Sequence, residues 1–226
     1  MTWQNWTENY LVWSPLGTFL TTFHQQGLQI WGGASWNRIQ RFPHRLVRQI
    51  DFSRNETYLV TWSPAPIIVD RPNGPNQPFD ESDEGHTLCI WSTRSGRLLR
   101  SFAPSQTTDD QHPIWPILKF SADEKYVARL QPGKQISVYE LPSMRLLDSN
   151  SIKIPGVKDF EWAPTRIPRE KKTGADEQYM LCYWTPEQGN SPAKVALMSI
   201  PSKETVRTKN LFSVSDVVSF NAKTNL

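Results

Sequence analysis

Arg38, Arg41, His44, Arg45 and Arg48 gather basic and titratable groups within one short stretch of the chain. Arg166, Arg169, Lys171 and Lys172 form a second such group. The chemistry open to them is phosphate contact, in which each cation adds salt-dependent affinity. The plainer reading is that outer strands and connecting loops carry solvated charges. Other reactive patterns are lacking. The four histidines, His24, His44, His86 and His112, have no spacing that suggests a metal site. His24 reads as a hydrogen-bonded structural residue at a strand end. The run Asp80-Glu81-Ser82-Asp83-Glu84 lacks the glycine turn and bidentate glutamate of a calcium loop, so it reads as solvated. There is no Gly-x-Ser-x-Gly elbow and no phosphate loop. The sequence therefore points away from an enzyme, a cofactor or a small-molecule substrate.

The elements that carry these residues repeat. One copy opens at Trp13-Ser14-Pro15, runs through 19–23 and closes at Leu28-Gln29-Ile30-Trp31. The next opens at Phe52-Ser53 and closes at Leu88-Cys89-Ile90-Trp91, and a third opens at Phe120-Ser121 and closes at Ile136-Ser137-Val138-Tyr139. A fourth opens at Trp162-Ala163-Pro164, and a fifth starts at Val217-Val218-Ser219-Phe220. An apolar strand ends in an aromatic residue. A turn built on Ser, Asn, Asp, Pro or Gly follows. The next strand is rich in Tyr, Leu, Val and Thr. Repeats of roughly 40–45 residues with four short strands each are propeller blades. The expected fold is all-β: a WD-type β-propeller, incomplete, with about four four-stranded blades and the start of a fifth across 1–226. An array with open terminal blades exposes apolar faces and unpaired edges.

Blade spacing is uneven. Phe52 and Phe120 are 68 residues apart, against 39 between Trp13 and Phe52. The excess lies in 63–85, which holds Pro64, Pro66, Pro72, Pro75 and Pro78 and ends in the acidic run. It reads as a mobile loop inserted between two blade strands. A shorter insertion spans 165–177. Equivalent aromatics in successive blades, Trp13, Phe52, Phe120 and Trp162, and likewise Trp31, Trp91 and Tyr139, are expected to pack sheet against sheet. Trp3, Trp6, Trp36 and Trp115 fall outside those positions and are candidates for exposure.

Composition agrees with this reading. Eighteen prolines argue against long helices. No run approaches the roughly 20 apolar residues of a membrane span, so no membrane partner is expected. The N-terminus has no secretory signal. Cys89 and Cys182 lie in strand-like runs and read as buried free thiols of a cytoplasmic protein. A net charge of +3 is too slight to announce nucleic-acid binding, so any such role must come from local clustering.

Longer stretches carry a specific likeness. They are Trp6-Thr7-Glu8 running into Trp13-Ser14-Pro15-Leu16-Gly17-Thr18, then Phe23-His24-Gln25 and Ile30-Trp31-Gly32-Gly33. Further on come 142–148 leading to Lys158-Asp159-Phe160, and a last stretch from Pro192-Ala193-Lys194-Val195 to Lys209-Asn210-Leu211-Phe212-Ser213-Val214. In these stretches the chain resembles the β-propeller of the B subunit of eukaryotic translation initiation factor three. The resemblance weakens at 63–85 and 165–177. It implies the N-terminal part of a nine-bladed propeller, without the family's RNA-recognition domain or helical tail. It also implies a non-enzymatic scaffold. Its partners would be other subunits of initiation factor three and the small ribosomal subunit, both ribosomal protein and ribosomal RNA. The two basic groups are then candidate ribosome contacts. The competing reading is a WD-type adaptor that binds peptides outside translation.

Overall fold

Ser14, Ser53 and Ser121 show how each blade starts. In a computed structural model, which describes residues 11–69, 78–104, 115–164, 179–189 and 191–211, each of these serines follows a first strand and closes the same turn. The Ser14 Oγ accepts from the Phe19 amide at 2.9 Å, the Ser53 Oγ from Tyr58 at 3.0 Å and the Ser121 Oγ from Tyr126 at 3.0 Å. The residue three places on adopts a left-handed conformation: Gly17 (φ 73°), Glu56 (φ 59°) and Glu124 (φ 59°). Glutamate is strained there. Glu56 offsets the strain by reaching back to the preceding sheet, where its Oε1 accepts from the Leu16 amide at 2.7 Å. Burial alone would raise the Glu56 carboxyl. Hydrogen bonds from Ser14, Thr18 and Leu16 outweigh that and hold it below its ordinary value.

The described strands form four antiparallel sheets. Blade 1 is β1 (Leu11–Trp13), β2 (Phe19–His24), β3 (Gly27–Gly32) and β4 (Asn37–Phe42). Blade 2 is β5 (Gln49–Phe52), β6 (Tyr58–Trp62), β7 (Leu88–Ser92) and β8 (Leu98–Phe102). Blade 3 is β9 (Leu118–Phe120), β10 (Tyr126–Gln131), β11 (Gln135–Glu140) and β12 (Arg145–Leu146), with β13 (Ile152–Lys153) also paired to β11. Blade 4 is β14 (Asp159–Trp162), β15 (Tyr179–Thr185), β16 (Ala193–Ile200) and β17 (Glu204–Leu211). Strand order follows chain order within each blade, including β6–β7 and β14–β15, whose connections are long. Gly27 shows how tight the β2–β3 hairpin is: at φ 135°, a Cβ there would lie 2.0 Å from the Phe42 carbonyl oxygen. The Val217–Phe220 start of a fifth blade lies outside the described residues.

Two compact units result, Met1–Ile114 and Trp115–Leu226. In the first, blade 2 turns the row Phe52, Leu59, Trp91, Leu98 toward blade 1. There it packs with Phe19, Phe23, Leu28, Ile30 and Phe42 in one core. In the second, Trp162, Leu181 and Met198 of blade 4 occupy the same register and pack on Ala128, Leu130, Ile136 and Val138 of blade 3. The Lys203 ammonium also ties the β16–β17 turn to blade 3, donating to the carbonyls of Leu147 at 2.7 Å and Asn150 at 2.8 Å.

Trp13 departs from expectation. It belongs to the equivalent row of blade 1, Trp13, Leu20, Trp31, Arg38, yet it is 54% exposed. No described sheet of its unit covers that face. Trp13 instead meets the exposed Trp36 edge to face, with ring centroids 5.3 Å apart. The 63–85 insertion departs too. Its ends are fastened to blade 2, while 70–77 lie outside the described residues. The Ile67 amide donates to the His86 carbonyl at 2.8 Å, and the Gly85 amide to Ile67 at 2.9 Å. Phe79 is buried against Trp91, with centroids 5.7 Å apart. Asp80 and Asp83 cap a single 3₁₀ turn, and the buried Asp83 carboxylate accepts from Ser101. Two apolar anchors and a satisfied carboxylate outweigh the mobility that proline content and charge suggest. Cys89 is buried but Cys182 is half-exposed, and burial raises both thiols. For Cys182, this corrects the expectation of a buried thiol.

Candidate functional site

The basic stretch 38–48 spans the outer strand of blade 1 and the connection to blade 2. Arg38 and Arg41 stand on β4, exposed, opposite Trp31 and Gln29 of β3. Arg45 and Arg48 are exposed on the connection. The Arg48 amide donates to the Trp62 carbonyl at 2.9 Å, which anchors that connection to blade 2.

His44 separates from the group. It is 1% exposed, its Nδ1 lies 2.7 Å from the Thr61 hydroxyl, and its ring meets Phe79. Thr61 also accepts from the Trp91 indole at 2.9 Å. A residue so enclosed contacts no ribosome surface, which removes it from the expected contact set. Burial lowers its pKa to about 4. His24 has the structural role expected of it. Its Nε2 lies 2.9 Å from the Thr22 hydroxyl, which accepts from the Trp31 indole at 3.0 Å.

A pH prediction follows from His44 and its neighbour in blade 2, Asp51. Burial raises the Asp51 carboxyl to about 6, against a partial lowering by the Phe52 backbone amide. His44 binds its proton less readily folded than unfolded. Its contribution is complete above about pH 6.5 and is lost as pH falls toward 4. Asp51 acts with the opposite sign: its folded pKa is raised, so its penalty is full above about pH 6 and is relieved below. Asp51→Asn is expected to stabilise the protein at pH 7 by about 1–2 kcal/mol, after discounting for partial exposure. It should also steepen the loss of stability between about pH 6.5 and 4, since the compensating group is gone. Urea unfolding across that range checks both, and an unchanged acid limb contradicts the assignment.

Sequence reasoning missed three further arginines. Arg94 and Arg97 flank the β7–β8 hairpin and Arg100 lies on β8, all exposed. Aligning the outer strands on their aromatic partners, Arg38 beside Trp31 and Leu98 beside Trp91, would have brought Arg97 and Arg100 into register with β4. The β7–β8 hairpin meets β4 on the face opposite Arg38 and Arg41. The Gln40 side-chain amide on β4 donates to the Ser95 carbonyl at 2.7 Å and packs on Gly96. The Arg100 guanidinium lies 5.5 Å over the Phe102 ring. Arg38, Arg41, Arg45, Arg94 and Arg97 have no ion pair among the described residues. Arg166, Arg169, Lys171 and Lys172 lie outside the described residues.

Among the described residues no group of three His, Cys, Asp or Glu side chains could hold a metal ion. No helix among them is long and apolar enough to cross a membrane. The arrangement suits binding through display of fixed side chains.

Four-stranded sheets in chain order, with a shared serine turn and a shared face-to-face register, define an incomplete WD-type β-propeller. A solved structure described as "Crystal structure of the eukaryotic initiation factor" has the same fold, with a TM-score of 0.64. It is 21% identical and covers 90% of this chain and 44% of its own. No family profile matches the chain. Curated relatives, each named as the B subunit of eukaryotic translation initiation factor 3, do. The protein from Botryotinia fuckeliana is 54% identical over 223 residues, and that from Schizosaccharomyces pombe 50% over 222, each across 94% of this chain. The Mycosarcoma maydis protein is 51% identical across 93%. The resemblance to the propeller of the initiation factor three B subunit is thereby shown. The chain spans only 29–30% of the length of these relatives.

Proposed function

We propose that the chain is a non-enzymatic, cytoplasmic scaffold of translation initiation. It docks on the small ribosomal subunit, through ribosomal protein and ribosomal RNA, and organises other subunits of initiation factor three around it. The observation that carries this reading is the 54% identity to a factor 3 B subunit across 94% of the chain. Loops on a rigid scaffold are where binding resides. The rigid part is explicit: the row Phe52, Leu59, Trp91, Leu98 locks blade 2 to blade 1, and Lys203 locks blade 4 to blade 3. Display of side chains from such sheets gives specificity and association rate more than raw affinity.

Affinity capture of the tagged chain from cell extract, with and without nuclease, is the test. Recovery of initiation factor three subunits in both conditions supports the reading. Recovery of unrelated peptide-bearing proteins instead would favour a WD-type adaptor outside translation.

A further inference from the structure

We infer that the face of blade 1 bearing Leu11, Trp13, Leu20 and Trp31 receives a further propeller blade from outside this chain. Trp36 is the latch on that blade's outer strand, and the blade meets Arg38 and Arg41 with carboxylates. The inference stands apart from the docking reading, which needs neither the blade nor the latch. By register, the four apolar residues and the two arginines share one face, opposite the face that packs on blade 2. A repeat that caps an array presents a polar outer face. This one presents tryptophan and leucine, with Leu11 58% and Trp13 54% exposed. An apolar centre with a polar rim is the make-up of an interface.

The packing inside the chain names the occupant. The same row of blade 2, Phe52, Leu59, Trp91, Leu98, is covered by blade 1, and Trp162, Leu181 and Met198 of blade 4 are covered by blade 3. The residue before each outer strand repeats as well. Trp36, Gly96, Met144 and Lys203 are all left-handed, at φ 49°, 67°, 55° and 57°. Gly96 lies so close to the outer strand of blade 1 that a Cβ there would be 1.8 Å from the Gln40 amide nitrogen. Lys203 donates to the Leu147 and Asn150 carbonyls of blade 3. In both cases this residue grips the blade before its own. Met144 is buried, whereas Trp36 is 49% exposed and meets Trp13 of its own blade. A bulky side chain is an outlier in that conformation, and a grip on a neighbouring strand gives it a purpose.

Charge narrows the choice further. Cations that cross between blades 3 and 4 meet carboxylates: Lys119 meets Asp159 and Glu161, and Lys203 meets Asp148 at 3.4 Å. Covering Arg38 and Arg41 without such acceptors would be costly. A second copy does not supply them. The face of its blade 4 turned away from blade 3 carries Arg207 and Lys209 along the outer strand, and its blade 1 repeats Arg38 and Arg41. The relatives have room for the blade, since this chain spans 29–30% of their length.

The test is hydroxyl-radical footprinting, read residue by residue by mass spectrometry. It compares the chain with a hybrid in which the chain replaces the matched region of the Schizosaccharomyces pombe relative. Trp13 and Trp36 are expected to oxidise readily in the chain and to fall to the level of the fully buried Trp91 in the hybrid. Trp36→Asp and Arg38→Glu, both at exposed positions, should leave the urea midpoint of the chain unchanged and lower that of the hybrid. Oxidation unchanged in the hybrid, or a hybrid indifferent to both substitutions, overturns the proposal. So does a hybrid that fails to fold where the parent relative folds. Protection already present in the chain and growing with its concentration would identify a second copy instead. Protection that appears only with small ribosomal subunits would assign the face to docking and refute the blade.

Discussion

Trp91→Ala is expected to destabilise the first unit by about 4 kcal/mol, near the upper end for removal of a buried aromatic side chain. Trp91 is fully buried where three segments meet. Its ring packs edge to face against Phe42 of blade 1, with centroids 5.6 Å apart, and against Phe79 of the insertion at 5.7 Å. Its indole donates to Thr61 at 2.9 Å, so alanine also removes one of the two partners of a hydroxyl that His44 shares. Truncation opens a cavity between two sheets that cannot collapse without moving both. Trp31→Ala supplies the contrast. That residue holds the same repeat position and donates to Thr22, but its ring is half-buried. Its loss should be about half as large or less. Urea unfolding followed by circular dichroism gives both values. Equal losses at the two positions would contradict the assignment of Trp91 as the junction of blade 1, blade 2 and the insertion.

Lys119→Met is expected to cost the second unit about 2 kcal/mol. The Lys119 ammonium on β9 donates to Asp159 at 2.9 Å, to Glu161 at 2.6 Å and to the Phe160 carbonyl at 2.8 Å, all on β14. It also lies 5.3 Å over the Phe160 ring. One side chain thus joins the first strands of blades 3 and 4. Breaking a fully buried pair costs about 3–5 kcal/mol. Here the lysine side chain is 13% exposed, but Asp159 is 40% and Glu161 32%, so the freed carboxylates regain water and the cost is smaller. Adding Glu161→Gln to Lys119→Met should recover part of the loss, because two neighbouring carboxylates no longer repel without their cation. Chemical unfolding of the single and double variants measures this. A double variant less stable than Lys119→Met would rule out the repulsion.

The repeat made the fold legible. Trp13, Phe52, Phe120 and Trp162 each close the first strand of a sheet, and the serine beside Trp13, Phe52 and Phe120 builds the turn its chemistry implies. What the pattern could not show was which equivalent positions are covered. Trp13 and Phe52 look alike as residues, but only the latter has a described sheet against it within its unit. The insertion misled for a related reason. Its composition favours disorder, yet Ile67 and Phe79 are enough to pin its ends, and long-range burial is not encoded in local composition.

The candidate surface was legible in part. Arg38, Arg41, Arg45 and Arg48 are exposed where their strand and loop assignments put them. His44 sits among them in sequence but turns inward to Thr61, a contact spanning 17 residues that no local pattern reveals. The hairpin that carries Arg94 and Arg97 is distant in sequence from β4 and meets it through a side chain, Gln40, that carries no signal of its own and lies on the face opposite Arg38 and Arg41.

The central claim is that this chain docks on the small ribosomal subunit as part of the initiation machinery. Sedimentation of the protein with purified small subunits through a sucrose gradient tests it most directly. The account predicts co-migration that weakens as salt rises, as expected of contacts spread over cationic side chains. Protein that remains at the top of the gradient at low salt, with its folded state intact, would contradict it.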